Sequence, residues 1–248
     1  MQKKISIMDV NIAMIDETML MSKIDEYLMD DALNTILFVS MDGLAKASED
    51  AVLCQNMNAF DIVIAGEKAL LELAGENIKP EKIAAGYDML GTMLENLWKS
   101  DRTLFIVGEN ETEIEYLKSY CKMMQPELRI VGSYSFEREL AQEALLNEIN
   151  SYAPDMLLVI LDCGVQEQWI MDNRQLLNAK LAVAIGGASD MVTGTIGETP
   201  RFWKTIHCGW LYKFLFQRNV QEKLKKRIFK AQLEQYNKIR QDKKESDG

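Results

Sequence analysis

The sequence predicts an α/β fold, a parallel sheet flanked by helices with a helical appendage at the C-terminus. Three observations lead there. Short apolar, β-rich runs alternate with stretches of helical periodicity along most of the chain. Glycine follows one run after another, so that strand, glycine and helix recur in that order. This repetition means parallel units joined by right-handed crossovers. Beyond Pro200 the composition turns basic and amphipathic, which sets the expected boundary: residues 1–205 form the α/β domain, and 206–248 an appendage with a polar tail.

In chain order, two short strands near Ile5 and Ile12 form a lead-in hairpin, and a helix starts at Asp16 with Met19, Leu20, Ile24 and Leu28 at helical spacing. Residues 35–39 make a strand; Ser40, Met41, Asp42 and Gly43 then open a helix through Ala45, Ala47 and Ala51. Ser40 and Asp42 thus stand at a strand's C-terminal end, where open α/β sheets hold ligands. Helix capping is the alternative role for both. Residues 61–65 form the next strand, followed by Gly66, Glu67 and a helix through Leu70, Leu71 and Leu73. A glycine turn at 84–88 leads into a helix whose Met89, Leu90, Met93, Leu94 and Leu97 face the core. Strands at 103–107 and 128–131 meet Gly108 and Gly132, with helices at about 111–124 and 140–152.

The stretch 155–174 organises the rest. Residues 156–161 are six unbroken apolar residues, suited to a strand buried on both faces. Gly164 turns the chain into a helix that carries Trp169, Ile170, Leu176 and Leu177, with Gln166 and Glu167 in its first turn. Free N–H groups at such a start attract phosphate or sugar oxygens. An ordinary βα turn, with Glu167 simply favouring the helix N-terminus, is the other reading. A last strand at 182–185 reaches Gly186 and Gly187.

The charge balance excludes several function classes. With 28 basic against 38 acidic residues the net charge is −10, which disfavours nucleic acid as a partner. One histidine and four widely spaced cysteines indicate neither a metal site nor a disulfide framework, and point to a reducing, cytoplasmic setting. No run of 18 apolar residues is available to cross a membrane, and no signal peptide is expected. Neither a dinucleotide-binding G-x-G-x-x-G nor a P-loop occurs. The appendage is different: Lys213, Arg218, Lys223, Lys225, Lys226, Arg227 and Lys230 face the single acid Glu222, behind an aromatic lead-in at Trp210, Phe214 and Phe216. That pattern suits an anionic membrane surface; the alternative is a solvated helix that packs Leu224, Ile228 and Leu233 on the body or on another subunit.

The blocks VSMDGLAKA (39–47), FDIVIAGEKALL (60–71), AAGYDML (84–90), LFIVGEN (104–110), PDMLLVILDCGVQEQW (154–169) and AIGGASDMVTGTIGETPRFW (184–203), in this order and spacing, resemble the WecG/TagA/CpsF glycosyltransferases of bacterial cell-surface polymer synthesis. The most specific matches are Gln166-Glu167, and Gly186-Gly187, Asp190, Gly194 and Pro200 in fixed succession. The resemblance implies a Rossmann-like fold of the GT-E type. It implies inverting transfer of an N-acetylmannosamine-type sugar from a UDP-sugar to a polyprenyl-diphosphate-linked sugar, without metal or cofactor. The protein would be cytoplasmic and peripheral to the membrane, docked through the appendage, alone, as a homo-oligomer or with another glycosyltransferase. Gly86, Asp88, Gly108, Gln166, Glu167, Gly186, Gly187 and Asp190 become the expected substrate-binding residues, and Lys213, Arg218, Lys223, Lys226 and Arg227 the membrane contacts.

The sequence departs from the family where chemistry is expected. The family's Thr-x-Asn reads Ser40-Met41-Asp42; its Asp-Gly, whose Asp is the proposed base, reads Gly66-Glu67. The arginine expected before Gly86 is Ile83, beside Lys82; Arg-Ala-Pro reads Glu198-Thr199-Pro200, and Glu-Trp reads Gly209-Trp210. Glycine has no group to act as a base. Two expectations follow: a rebuilt site with Asp42 or Glu67 as base, Ser40 orienting the sugar and Lys82, Arg201 or appendage cations on the diphosphate, or a noncatalytic sugar-nucleotide-binding or partner subunit.

Overall fold

The computed structural model describes residues 3–75, 79–87, 89–138, 142–186 and 218–246. A small antiparallel hairpin, β1 (Lys4–Ile7) and β2 (Val10–Ala13), precedes helix α1 (Glu17–Met29). Six parallel strands then form one sheet in the order β4 (Ile62–Ala65), β3 (Asn34–Val39), β8 (Leu181–Ala184), β7 (Met156–Ile160), β5 (Thr103–Gly108), β6 (Arg129–Ser135). The fold is α/β and Rossmann-like, as expected.

Alternation along each strand sorts side chains to two cores. Leu37 and Val39 of β3 point to the face covered by α2 (Met41–Glu49), α3 (Ala51–Asn58), α4 (Lys68–Ala74), α7 (Gln142–Tyr152) and α8 (Val165–Asn173). Ile36 and Phe38 point to the other, where α1, α5 (Met89–Lys99) and α6 (Glu111–Met124) supply Leu20, Ile24, Met93, Leu97, Ile114 and Leu117. All five residues of β7 are buried, which explains its unbroken apolar run: a central strand faces a core on both sides.

Two matching clamps lock the amino-terminal edge of the sheet. Asp61 Oδ2 accepts from the N–H (2.8 Å) and hydroxyl (2.9 Å) of Thr35 and pairs with Arg174 at 2.7 Å, joining β4 to β3. Asp155 Oδ2 accepts from the N–H and hydroxyl of Thr103, both at 2.9 Å, and its Oδ1 pairs with Arg102 at 2.8 Å, joining β7 to β5. Burial works to raise the Asp155 carboxyl, but these donors outweigh it and hold it below the usual aspartate range.

The structure departs from the sequence expectations in three places. The helix expected across Ala51 breaks at Asp50, whose carboxylate accepts from Val52 and Leu53 N–H and so starts α3 as a separate helix. Strand β6 continues through Gly132 to Ser135, since its pairing with β5 runs on to Gly108↔Ser135. Helix α8 stops at Asn173, leaving Leu176 exposed and Leu177 buried in the connection to β8.

The C-terminal helix α9 (Arg218–Ser246) lies against the body. Phe229 is 2% exposed, and Leu233 and Tyr236 pack on the same core, a stripe at helical spacing. Leu224 and Ile228, which the alternative reading packs with Leu233 on the body or on another subunit, are 60% and 52% exposed and point away from the body with Ile239. Lys225 pairs with Asp42 at 2.9 Å, Lys226 with Glu72, and Arg240 and Tyr236 with Asp9.

Candidate active site

The carboxyl ends of the strands bring most of the expected site residues to one rim. At the end of β4, Gly66 N–H donates to Val39 O at 2.8 Å, and Gly86 N–H to Ala65 O at 2.8 Å, so the 84–86 turn runs along the sheet edge. Glu67, buried, accepts from Met41 N–H at 3.1 Å through Oε2 and ties the end of β4 to the turn after β3. Ser40 caps α2, its Oγ accepting from Gly43 N–H at 2.9 Å; the hydroxyl proton is left to donate. Asp42 sits in the first turn of α2 with its side chain 54% exposed, facing Lys225. Ser40, Asp42, Glu67, Gly86, Gly108, Gln166, Glu167 and Gly186 therefore share one edge of the sheet. Asp88, Gly187, Asp190, Arg201 and Lys213, and the side chains of Arg218 and Lys223, lie outside the described residues.

Gln166 and Glu167 form a buried strut. Both are 1% exposed. Gln166 Oε1 accepts from Gly186 N–H at 2.8 Å while its Nε2 donates to Glu167 Oε1 at 3.0 Å. Glu167 Oε2 accepts from Gly164 N–H at 2.6 Å, closing the turn in the manner of a capping box. The strut thus fixes the turn after β7 to the end of β8. Burial raises the proton affinity of Glu167, with the bonds from Gln166 and Gly164 opposing it. Gly164 adopts φ +100°, a left-handed conformation that costs little only for glycine. In this arrangement the two side chains hold the loops after β7 and β8.

Ser40, Gly43, Met57, Cys163 and the strut pack together with no space between them large enough for a water. Burial, with the neighbouring Glu167 charge, pushes the Cys163 thiol up to about 12, which excludes a thiolate nucleophile there at neutral pH. A cleft of about 440 Å³ lies beyond β4, where Lys68 and Lys82 line one hollow with Asp16, Glu17 and Glu81. No group of three or more His, Cys, Asp or Glu among the described residues is arranged to hold a metal ion.

One departure from the resemblance has a structural cause. A Cβ at Gly66 would stand 2.7 Å from the Tyr87 ring, which is stacked on Phe38 with ring centroids 5.7 Å apart. The space that a base at this position would need is filled by Tyr87. Tyr87 falls within the 84–90 block, but sequence reading gave it no role, since nothing in that block marks its ring as the neighbour of Gly66.

The profile of the WecG/TagA/CpsF glycosyl transferase family matches residues 5–231. The chain belongs to that family. Among its relatives, the N-acetylglucosaminyldiphosphoundecaprenol N-acetyl-beta-D-mannosaminyltransferase of Bacillus spizizenii is 29% identical over 131 residues, 53% of this chain and 51% of the relative. The enzyme of the same name from Bacillus subtilis is 25% identical over 131 residues, with the same shares. The chain thus spans about half the length of the relatives it matches. As a WecG/TagA/CpsF member it carries the Rossmann-like core with most of the expected site residues on the rim.

Proposed function

We propose that this chain is a divergent sugar transferase that moves an N-acetylmannosamine-type unit from a UDP-sugar to a polyprenyl-diphosphate-linked sugar, using a rebuilt site on the carboxyl rim. The observation that carries this reading is Asp42, a half-exposed carboxylate at the end of β3, with Ser40 capping the same turn and a cation, Lys225, 2.9 Å away. Asp42 takes the proton of the acceptor hydroxyl as that oxygen bonds to the anomeric carbon from the face opposite UDP. The bond to the diphosphate breaks with its electron pair, and Lys225, Lys82 and Arg201 offer positive charge to it. Ser40 orients the sugar, and Glu67 positions Asp42 by holding Met41 N–H. The Gln166–Glu167 strut presents the Gly164 and Gly186 backbone to the donor, beside Gly108 and Gly86.

The expected result with purified protein is calorimetric binding of the UDP-sugar, and UDP release that depends on a polyprenyl-diphosphate-sugar acceptor. Binding without release assigns the second reading, a noncatalytic sugar-nucleotide-binding subunit, which the Tyr87 ring beside Gly66 favours. Absence of binding removes both.

Residues 206–248 act in this reading as an appendage on the membrane that holds the acceptor. Supporting it, Leu224, Ile228 and Ile239 are exposed on α9 with Arg227 near them, while Phe229 anchors the opposite face. No helix among the described residues is long and apolar enough to cross a membrane. Cosedimentation with anionic vesicles should fall steeply with salt and with Leu224→Glu plus Ile228→Glu. Equal binding by the double variant would end the assignment of this face.

A further inference from the structure

We propose that the β1–β2 hairpin is a bracket for α9, and that Asp9 at its tip is a positioning residue that holds Lys225 beside Asp42. The effect on transfer rests on the reading above, whereas the bracket itself rests on packing alone. With Ile7 paired to Val10, Met8 and Asp9 form a two-residue loop, and both have positive φ, 48° and 62°. Such a turn favours glycine at its second central position. Here that position carries a carboxylate, and the tip is fixed from behind. Asn58 of α3 donates from Nδ2 to Asp9 O and accepts from Asn11 N–H through Oδ1, both at 2.9 Å. The carboxylate held in this way meets α9 across 227 residues of sequence: its Oδ2 accepts from the Tyr236 hydroxyl, and its Oδ1 pairs with Arg240. Burial, and then the bond to Asp9, push the Tyr236 phenol up to about 12, so it stays protonated and donates.

Phe229, Leu233, Tyr236 and Arg240 follow one another at helical spacing along a single face of α9. The first three pack on the core to which Ile7, Met8, Val10 and Ile12 of the hairpin also belong. Lys225 stands about three turns before Tyr236 on the same helix. Its pair with Asp42 is exposed, and pairs of that kind are too weak to hold a helix in place. The Arg240 pair is exposed as well, but there both oxygens of one carboxylate are taken by donors and the loop beneath them is locked. A helix is stiff over three turns, so fixing the Tyr236 end sets the angle at which Lys225 reaches Asp42. Asp9 thus acts on the rim through α9, without lying at the carboxyl ends of the strands itself.

Asp9→Gly removes the carboxylate while easing the turn, and Asp9→Asn keeps an acceptor oxygen without the charge. Amide hydrogen exchange on the whole chain reads the bracket with no substrate present. The expected result for Asp9→Gly is protection of the 229–240 amides weaker by about 10-fold, with exchange in α3 unchanged and the thermal midpoint at or near wild type. Asp9→Asn should fall between the two. Unchanged protection of α9 would mean that the apolar stripe holds the helix alone, and equal loss in the hairpin and α3 would mean that Asp9 serves only its own turn; either overturns the proposal. The effect on transfer is read from acceptor-dependent UDP release in a double-mutant cycle with Lys225→Ala. Each single variant should lose several-fold, and the pair no more than Lys225→Ala alone, because Asp9 acts through Lys225. Additive losses remove the positioning role. If wild type releases no UDP, the transfer reading fails and the positioning role with it, while the exchange of α9 still decides the bracket.

Discussion

Asp42→Asn is expected to reduce acceptor-dependent UDP release by about 10²- to 10⁴-fold, the usual cost of losing a general base. Affinity for the UDP-sugar should stay within a few-fold of wild type, because the base acts on the acceptor's proton. The fold should survive: the side chain is 54% exposed, and its ion pair with Lys225 is of the surface kind, worth at most about 1 kcal/mol. Glu67→Gln provides the comparison. Glu67 is buried and accepts from Met41 N–H, a bond that an amide oxygen can replace, so the loss should be smaller. Single-turnover measurement on both variants separates the roles. Full activity in Asp42→Asn with strong loss in Glu67→Gln would move the base to Glu67, and full activity in both would remove the rebuilt site altogether.

Gly186→Ala is expected to destabilise the protein by at least about 3 kcal/mol, a fall in thermal midpoint of roughly 6–12 °C for a chain of this size. A Cβ there would stand 2.1 Å from the Leu161 carbonyl oxygen and 2.6 Å from Gln166 Oε1. The first obstacle is backbone at the end of β7, which cannot turn aside. Moving Gly186 instead would stretch its 2.8 Å bond to Gln166 and with it the strut to Glu167 and Gly164. Gly164→Ala is the control: nothing lies within 4 Å of its Cβ, so only the φ of +100° opposes alanine, at about 1–2 kcal/mol. Thermal denaturation should rank Gly186→Ala well below Gly164→Ala. The reverse order would mean that the two loops relax independently of the strut.

Legibility followed the range of the interactions concerned. The apolar, β-rich run of β3 and the wholly apolar β7 are written in neighbouring residues, so strands, helices and the carboxyl rim could be read in advance. Gln166, Glu167 and Gly186 stand at the carboxyl ends of β7 and β8, where the order of strands and glycines placed them. Their arrangement could not be read: whether Gln166 meets a ligand or the Gly186 N–H depends on where β8 ends beside β7, across 20 residues of sequence. The break at Asp50 was local yet missed, since alanine periodicity masked an N-cap aspartate.

By itself the sequence determined the α/β class, the family, the rim as the candidate site and the basic amphipathic C-terminal segment, because each depends on local pattern and the order of blocks. Only the tertiary structure decided that Tyr87 fills the space beside Gly66, that Lys225 meets Asp42 across 183 residues, and that Asp9 meets Tyr236 and Arg240 of α9. These are encounters between side chains distant in sequence or hidden by packing. Composition and spacing do not encode them; the crossing of the strands and the docking of α9 create them.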